Sequence, residues 1–174
     1  MKYRRMVVMN ISENKKKWSI KKMSLLQSDE VLKYLSNIIH KDTQQHERHI
    51  DLTVSEIHLL TGSGSLDFGG SEFKAAQSVP VSAEKRNSDD KYGWWQLKKG
   101  TYRAFFNESI NEGQDYTAIV SPQIHTQEAG LVSNTYLIAS GEAVGTLSLN
   151  FTVPETGCNI KENARFASLF LIEG

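Results

Sequence analysis

The chain is poor in several features that would place it in a special class of protein. It contains a single cysteine, Cys158, in 174 residues, so it forms no intrachain disulfide and no cysteine-based zinc site. A lone thiol of this kind is typical of a reduced cytosolic protein, and we predict a cytoplasmic location. No run of about 18 apolar residues occurs, and the apolar patch 6–9 is too short for a signal peptide, so we expect no membrane partner.

The chain also has no excess charge of either sign. It carries 20 Lys and Arg residues against 20 Asp and Glu residues, which gives a formal net charge of zero. A neutral chain has no overall attraction for nucleic acid, and we expect no nucleic-acid partner. Basic residues are nevertheless concentrated in residues 1–22, which we predict to be a solvated arm, with its order left open and a nucleic-acid tail as the alternative. Residues 23–174 are then predicted to form one domain.

Motifs for phosphate and metal binding are weak. The glycine-rich segment 61–73 has neither a Lys-Ser/Thr pair nor a following helix, and we predict a flexible hairpin loop there. His46 and His49, with His40 upstream, are spaced like metal ligands. Without a helix and a third ligand, a His-x-x-His pair is more typical of solvated loop histidines. The sequence therefore predicts no metal site and no cofactor.

What the chain does have is a strong strand pattern. Leu147, Leu149, Phe151 and Val153 alternate strictly with polar residues, and this period of two is typical of a strand with one buried face. Similar segments begin at residues 50, 101 and 166, and about nine to eleven short strands are predicted in all. Adjacent tryptophans at 94 and 95 must point to opposite faces of a strand, so one of them is predicted in the core and the other at an edge or a subunit contact.

One helix is predicted before the strands, over residues 29–40. Ser28 is the expected N-cap, and two acidic residues follow it where the helix dipole favours them. Val31, Leu35, Ile38 and Ile39 fall on one face at helical spacing, with Leu32 beside them. One helix with many strands predicts a mainly β fold, either a β-sandwich or a distorted barrel.

Six segments of the chain follow one another in an order that a known family shares. They are MSLLQSDEVLKYL, QHERHIDLTV, LKKGTYRAFFNESI, YTAIVSPQIHTQEAGLV, GTLSLNF and IKENARFASLFLI. Taken in order, these segments resemble the dCTP deaminase/trimeric dUTPase superfamily, and especially its deaminase branch. The resemblance covers about residues 23–172 and implies a distorted barrel of the dUTPase-like (β-clip) type, a homotrimer and a place in nucleotide metabolism.

The chain departs from the family pattern in the segment that resembles the main substrate loop. The resemblance implies that a loop cation that meets triphosphate oxygens is replaced by Gln123, that two serines are replaced by Ile124 and His125, and that an arginine is replaced by Glu128. Arginine holds phosphate through a charged planar fork, whereas a glutamate repels it. The loop thus has the wrong charge for a triphosphate.

Further departures follow on the strands. The family's strand glutamate, a deaminase's general acid and base, falls on Asn150, and an amide does not transfer protons usefully near neutral pH. The usual aspartate of the preceding turn falls near Ser140, and a late glutamine aligns with Ser168. These losses predict a family scaffold without its usual chemistry.

Three hypotheses follow. The first is a catalytically degenerate member that binds a nucleotide-like ligand or a protein partner, with Gln123, His125, Glu128, Asn150 and Ser168 as candidate ligand contacts. The second is a divergent hydrolase, a deaminase or a diphosphatase that acts on dCTP or dUTP with Mg²⁺, in which His125, Glu128 or a residue not recognised in the sequence replaces the lost acid and base. In the third, the protein is a purely structural trimeric domain, and the tryptophan pair is a contact surface.

Overall fold

A computed structural model describes residues 23–111, 116–139 and 146–173 of the chain. The described residues are mainly β, with short helical turns between the strands. The elements are β1 (Ser24–Leu25), α1 (Ser28–Val31), a 3-10 turn (Leu32–Tyr34), β2 (Leu35–Ser36), α2 (Lys41–Gln44), β3 (Ile50–Leu60), β4 (Ser78–Pro80), β5 (Trp94–Leu97), β6 (Gly100–Ile110), β7 (Tyr116–Pro122), α3 (Ile124–Glu128), β8 (Val132–Ser133), β9 (Tyr136–Ile138), β10 (Thr146–Val153), β11 (Cys158–Lys161) and β12 (Arg165–Glu173).

Ten of these strands form one curled antiparallel sheet. Its main order is β8-β10-β6-β3-β12-β7-β9, with β1 on β12, β2 on β6 and β4 on β3, while β11 and β5 pair separately. β3 joins the two halves of the sheet, because its first residues pair with β12 and its later residues pair with β6. The register shifts between Val54 and Glu56, where the strand passes from one partner to the other. The predicted mainly β, distorted-barrel class is confirmed.

The core consists of the alternating side chains that the strand pattern predicted. The apolar positions of β10 are buried, and its polar positions are partly or fully exposed. An aromatic cluster fills the space between the halves of the sheet, with Phe151 packed at 5.0 Å against Phe166 and at 5.6 Å against Tyr102. The two tryptophans separate as expected. Trp95 is buried, whereas Trp94 is half-exposed beneath the Arg86 guanidinium at 3.8 Å.

The predicted helix over residues 29–40 is wrong in its extent. Only Ser28–Val31 is α-helical, a 3-10 turn follows, and Leu35–Ser36 is a strand that pairs with Ile110 and Ser109 of β6. Ser28 is the first helical residue rather than the cap, and Ile39 is exposed. Pairing with β6 therefore overrides the local helical preference. Asn37, at φ 64°, then turns the chain in a left-handed conformation that asparagine tolerates well.

Several predictions fall outside the described residues or are not decided by the structure. The basic arm of residues 1–22 and the turn residue Ser140 lie outside them. The boundary between an arm and a single domain over 23–174 remains a prediction. Among the described residues, no helix is long and apolar enough to cross a membrane.

A buried carboxylate connects three elements at the centre of the sheet. Glu108 of β6 is fully buried, and one of its oxygens accepts hydrogen bonds at 2.6 Å from both the Gln44 amide and the Thr53 hydroxyl. The other oxygen accepts from the Thr53 backbone N–H at 2.8 Å. Gln44 also donates to the Asp51 carbonyl at 2.8 Å, so the carboxylate fixes α2 against β3. Burial raises the pKa of Glu108, and these hydrogen bonds oppose the rise.

We predict that Glu108→Ala lowers the free energy of unfolding by about 3 kcal/mol or more, because it leaves buried donors without an acceptor. Glu56→Ala, on the neighbouring strand and largely exposed, is the matched control and should change stability by less than about 0.5 kcal/mol. Urea unfolding of both variants measures the difference. Equal losses in the two variants would contradict the assigned role of Glu108.

Candidate functional site

A cleft of about 360 Å³ opens beside the end of β7 and the start of β12. Three parts of the chain line it: the segment between α2 and the start of β3, the segment from the end of β7 into α3, and strand β12. The lining residues are His46, His49, Asp51, Ser121, Pro122, Gln123, Ile124, His125, Arg165, Ser168 and Phe170. We call this space the first cleft. It includes three of the five predicted ligand contacts, namely Gln123, His125 and Ser168.

Strand pairing and a short helix position these three residues. Ser168 of β12 lies opposite Ser121 of β7, and the Gln123 N–H donates to the Phe166 carbonyl at 3.0 Å. The Thr126 hydroxyl donates to the same carbonyl at 2.6 Å and fixes α3 on β12. From the sequence, we expected this segment to be a loop. In the structure it contains the short helix α3, which places His125 in the lining of the first cleft.

Glu128 lies outside the lining of the first cleft, on the exposed side of α3. Its carboxylate is 3.1 Å from Nδ1 of His125, and both side chains are more than half exposed. The predicted His125–Glu128 pair is therefore in contact, but water surrounds it. Solvent screens the interaction between two exposed side chains, so this contact contributes little on its own.

Asn150 lies in a second cleft, of about 340 Å³, between β6, β10 and the segment before β9. The Arg103 guanidinium donates to the Asn150 side-chain oxygen at 2.9 Å, across directly paired positions of β6 and β10. Tyr136 also lines this cleft, and burial raises the pKa of its hydroxyl to about 12. The described residues that line the second cleft include no carboxylate.

The five predicted ligand contacts thus divide between two clefts and an exposed rim within one chain. That they form a single ligand site remains a prediction, and it requires clefts from neighbouring chains to meet in an assembly. No ligand contact was predicted at Arg103, although its pairing with Asn150 follows from the strand register of β6 and β10.

Sequence reasoning also missed the most buried charge in the first cleft, Asp51. Its carboxylate is only 2% exposed and lies 2.9 Å from Nε2 of His46 and 3.5 Å from Nε2 of His49. Nη1 of Arg165 and the Ser168 hydroxyl are each 3.5 Å from it. Burial lowers the pKa of His49, as does neighbouring His46, while Asp51 opposes the change. The sequence does contain a signal for a metal site, because Asp51, a third residue of a type that binds metals, lies two positions after His49.

The charges set what the first cleft can bind. Arg165 is the one lysine or arginine among its described lining residues, and it lies against Asp51. The remaining polar groups are imidazoles, hydroxyls and an amide. This set can hydrogen-bond a polar ligand, but it offers little net positive charge to a triphosphate.

Comparison with known proteins finds relatives that are similar in sequence over most of the chain. The chain is 30% identical to the probable deoxyuridine 5'-triphosphate nucleotidohydrolase of Methanosarcina acetivorans over 154 residues, which covers 84% of the chain and 86% of that relative. It is 29% identical to the protein of the same description from Methanosarcina mazei, with the same coverage. No family model matches the chain.

A solved structure agrees in fold. The crystal structure of 2'-deoxycytidine 5'-triphosphate deaminase from Agrobacterium tumefaciens superimposes with a TM-score of 0.61 at 15% identity. The match covers 88% of this chain and 49% of that one, so the chain spans about half the length of the deaminase. Sequence and fold agree with the resemblance seen in the motifs, and the chain belongs to the dUTPase/dCTP deaminase superfamily.

Proposed function

We propose that this protein is a member of the superfamily that binds a nucleotide-like ligand without hydrolysing or deaminating it. The observation that carries the proposal is the Asn150–Arg103 contact. At the position where the resemblance implies a catalytic glutamate, an amide oxygen accepts from a guanidinium at 2.9 Å. An amide in this contact can orient a polar ligand, but it cannot act as a general base near neutral pH.

The first cleft supports the same proposal. Gln123 and His125 stand where the resemblance implies a cation and a serine for a triphosphate, and Glu128 adds a negative charge at the rim. The guanidinium of Arg165 is partly neutralised by Asp51. A ligand with less charge than a nucleoside triphosphate fits these groups better, because fewer phosphate oxygens would be left without cationic partners.

A homotrimer is part of the proposal and follows from the family resemblance. Strands β8 and β9 lie at the two ends of the main sheet order, and each exposes an apolar side chain, Val132 at 68% and Leu137 at 65%. Exposed apolar residues on edge strands are typical of surfaces that pair or pack with another chain. Light scattering should give a mass of about three times the 19.6 kDa of one chain.

The second candidate is an active hydrolase on dUTP or dCTP that requires Mg²⁺. The two Methanosarcina relatives, both described as probable deoxyuridine 5'-triphosphate nucleotidohydrolases, favour it, and so does the 3.1 Å contact between His125 and Glu128. The third candidate, a structural domain with a tryptophan contact surface, has less support. Trp95 is buried, and a cation covers Trp94.

Incubation of the pure protein with dCTP or dUTP, with and without Mg²⁺, tests the proposal directly. We predict no dUMP, pyrophosphate or deaminated product at high protein concentration, because the positions for the general base and for the phosphate cations hold other groups. Chromatography resolves the products. Turnover that depends on protein concentration would overturn the proposal and favour the hydrolase.

The charge at the rim of the first cleft gives a second prediction. Glu128→Arg should raise the affinity for dUTP by about tenfold, since it replaces a repelling charge with an attracting one at low salt. Glu155→Arg makes the same change in charge at an exposed site outside the first cleft and should have little effect. Calorimetric titration compares the two. An unchanged affinity in Glu128→Arg would contradict the placement of Glu128 beside the ligand.

A further inference from the structure

His46, His49 and Asp51 converge at one end of the first cleft, and the proposed function uses none of them as a ligand contact. Each offers one metal-ligating atom, and these atoms all lie within 4.8 Å of one another. We call these three residues the triad. Two imidazoles and a carboxylate are the donor set of many sites that bind a transition metal and keep one position open.

The local fold explains why these three residues meet. α2 ends at Gln44, Gln45 bridges to Ile50, and the His46 N–H donates to the His49 carbonyl at 3.0 Å. This tight turn brings the two histidines to opposite ends of one short hairpin. Asp51 follows His49 by two positions as β3 begins, and positions two apart share one face of a strand. The pattern His-x-x-His-x-Asp therefore aims all three side chains at one point.

The distances are near those that an ion requires. Donor atoms bound to a tetrahedral Zn²⁺ at about 2.0–2.2 Å lie roughly 3.3–3.6 Å apart. In the structure, Oδ2 of Asp51 lies 2.9 Å from Nε2 of His46, and the other carboxylate oxygen, Oδ1, lies 3.5 Å from Nε2 of His49. The two imidazole rings are stacked at 4.4 Å with an interplanar angle of 16°. Binding therefore requires the His46 ring to tilt out of the stack, and its side chain, which is 40% exposed, has room to do so.

Neighbouring side chains contact Asp51 and His49 and restrict their orientation. The Asp51 carboxylate is buried and lies 3.5 Å from both Nη1 of Arg165 and the Ser168 hydroxyl. Arg165 is anchored by a second hydrogen bond, to the Thr43 carbonyl at 3.1 Å. The His49 ring packs against Phe170 at 5.1 Å. Such outer contacts fix the orientation of the ligand side chains.

We propose that the triad is a binding site for a divalent first-row transition ion, with Zn²⁺ as the preferred ion and an open coordination position facing the first cleft. Imidazole suits Zn²⁺ and its neighbours in the series, whereas Mg²⁺ prefers oxygen donors alone. The proposal stands on the geometry of one chain and does not depend on nucleotide binding. From the sequence, we predicted no metal site because the His-x-x-His pair lacked both a helix and a third ligand. The structure supplies a candidate third ligand, Asp51.

Metal titration of the full-length protein, freed of any affinity tag and without nucleotide, tests the site. We expect one Zn²⁺ per chain by calorimetry, no competition from excess Mg²⁺, and a rise in the unfolding temperature with Zn²⁺. His46→Gln and His49→Gln should each weaken Zn²⁺ binding by about 100-fold or more, since even the loss of an outer contact costs 10–100-fold. His58→Gln, at a histidine outside the triad, is the control and should bind like the unmodified protein.

Three results would overturn the proposal. They are no Zn²⁺ binding by the unmodified protein, equal binding by the double variant His46→Gln/His49→Gln, and one ion per three chains. The unfolding temperature without metal shows that each variant is folded. Because the titration contains no nucleotide, its outcome is separate from that of the hydrolysis assay.

Discussion

The buried carboxylate of Glu108 is the contact on which the arrangement of the first cleft depends. It takes hydrogen bonds from Gln44 and Thr53 and so joins β6, β3 and α2 inside the core. A buried charge is tolerated only when donors surround it, and the donors here come from segments distant in sequence. Gln44 is thereby fixed two residues before His46. The hairpin that carries the histidines is held against β3, at the edge of the first cleft.

The fold agrees with the superfamily, whereas the side chains at the candidate site differ from those that the resemblance implies. The curled sheet, the aromatic core and the relatives place the chain in the dUTPase/dCTP deaminase superfamily. The pocket positions hold an amide, an imidazole and an exposed carboxylate where the resemblance implies a glutamate, a serine and an arginine. Core packing and pocket chemistry depend on different side chains of the same strands, so one set can change while the other is kept.

Strands could be predicted from the sequence because their signal is local. The alternation from Leu147 to Val153 predicts which side chains of that strand are buried. The same period predicts that one of the two adjacent tryptophans is in the core, and the structure shows that it is Trp95. The helix over residues 29–40 could not be predicted correctly, because pairing of Leu35 with Ile110 is a contact between distant segments. The site was predictable only in part. Gln123, His125 and Ser168 meet in one cleft, whereas the separation of Asn150 depends on the curl of the sheet.

We propose that the pocket side chains, and not the scaffold, decide whether this chain turns over a deoxynucleotide. The most direct measurement is turnover of dUTP and dCTP with Mg²⁺ by a variant that combines Gln123→Arg, His125→Ser, Glu128→Arg and Asn150→Glu. We predict tighter nucleotide binding and measurable product from this variant, against no product from the unmodified protein. A folded variant that binds nucleotide no better and forms no product would contradict the claim.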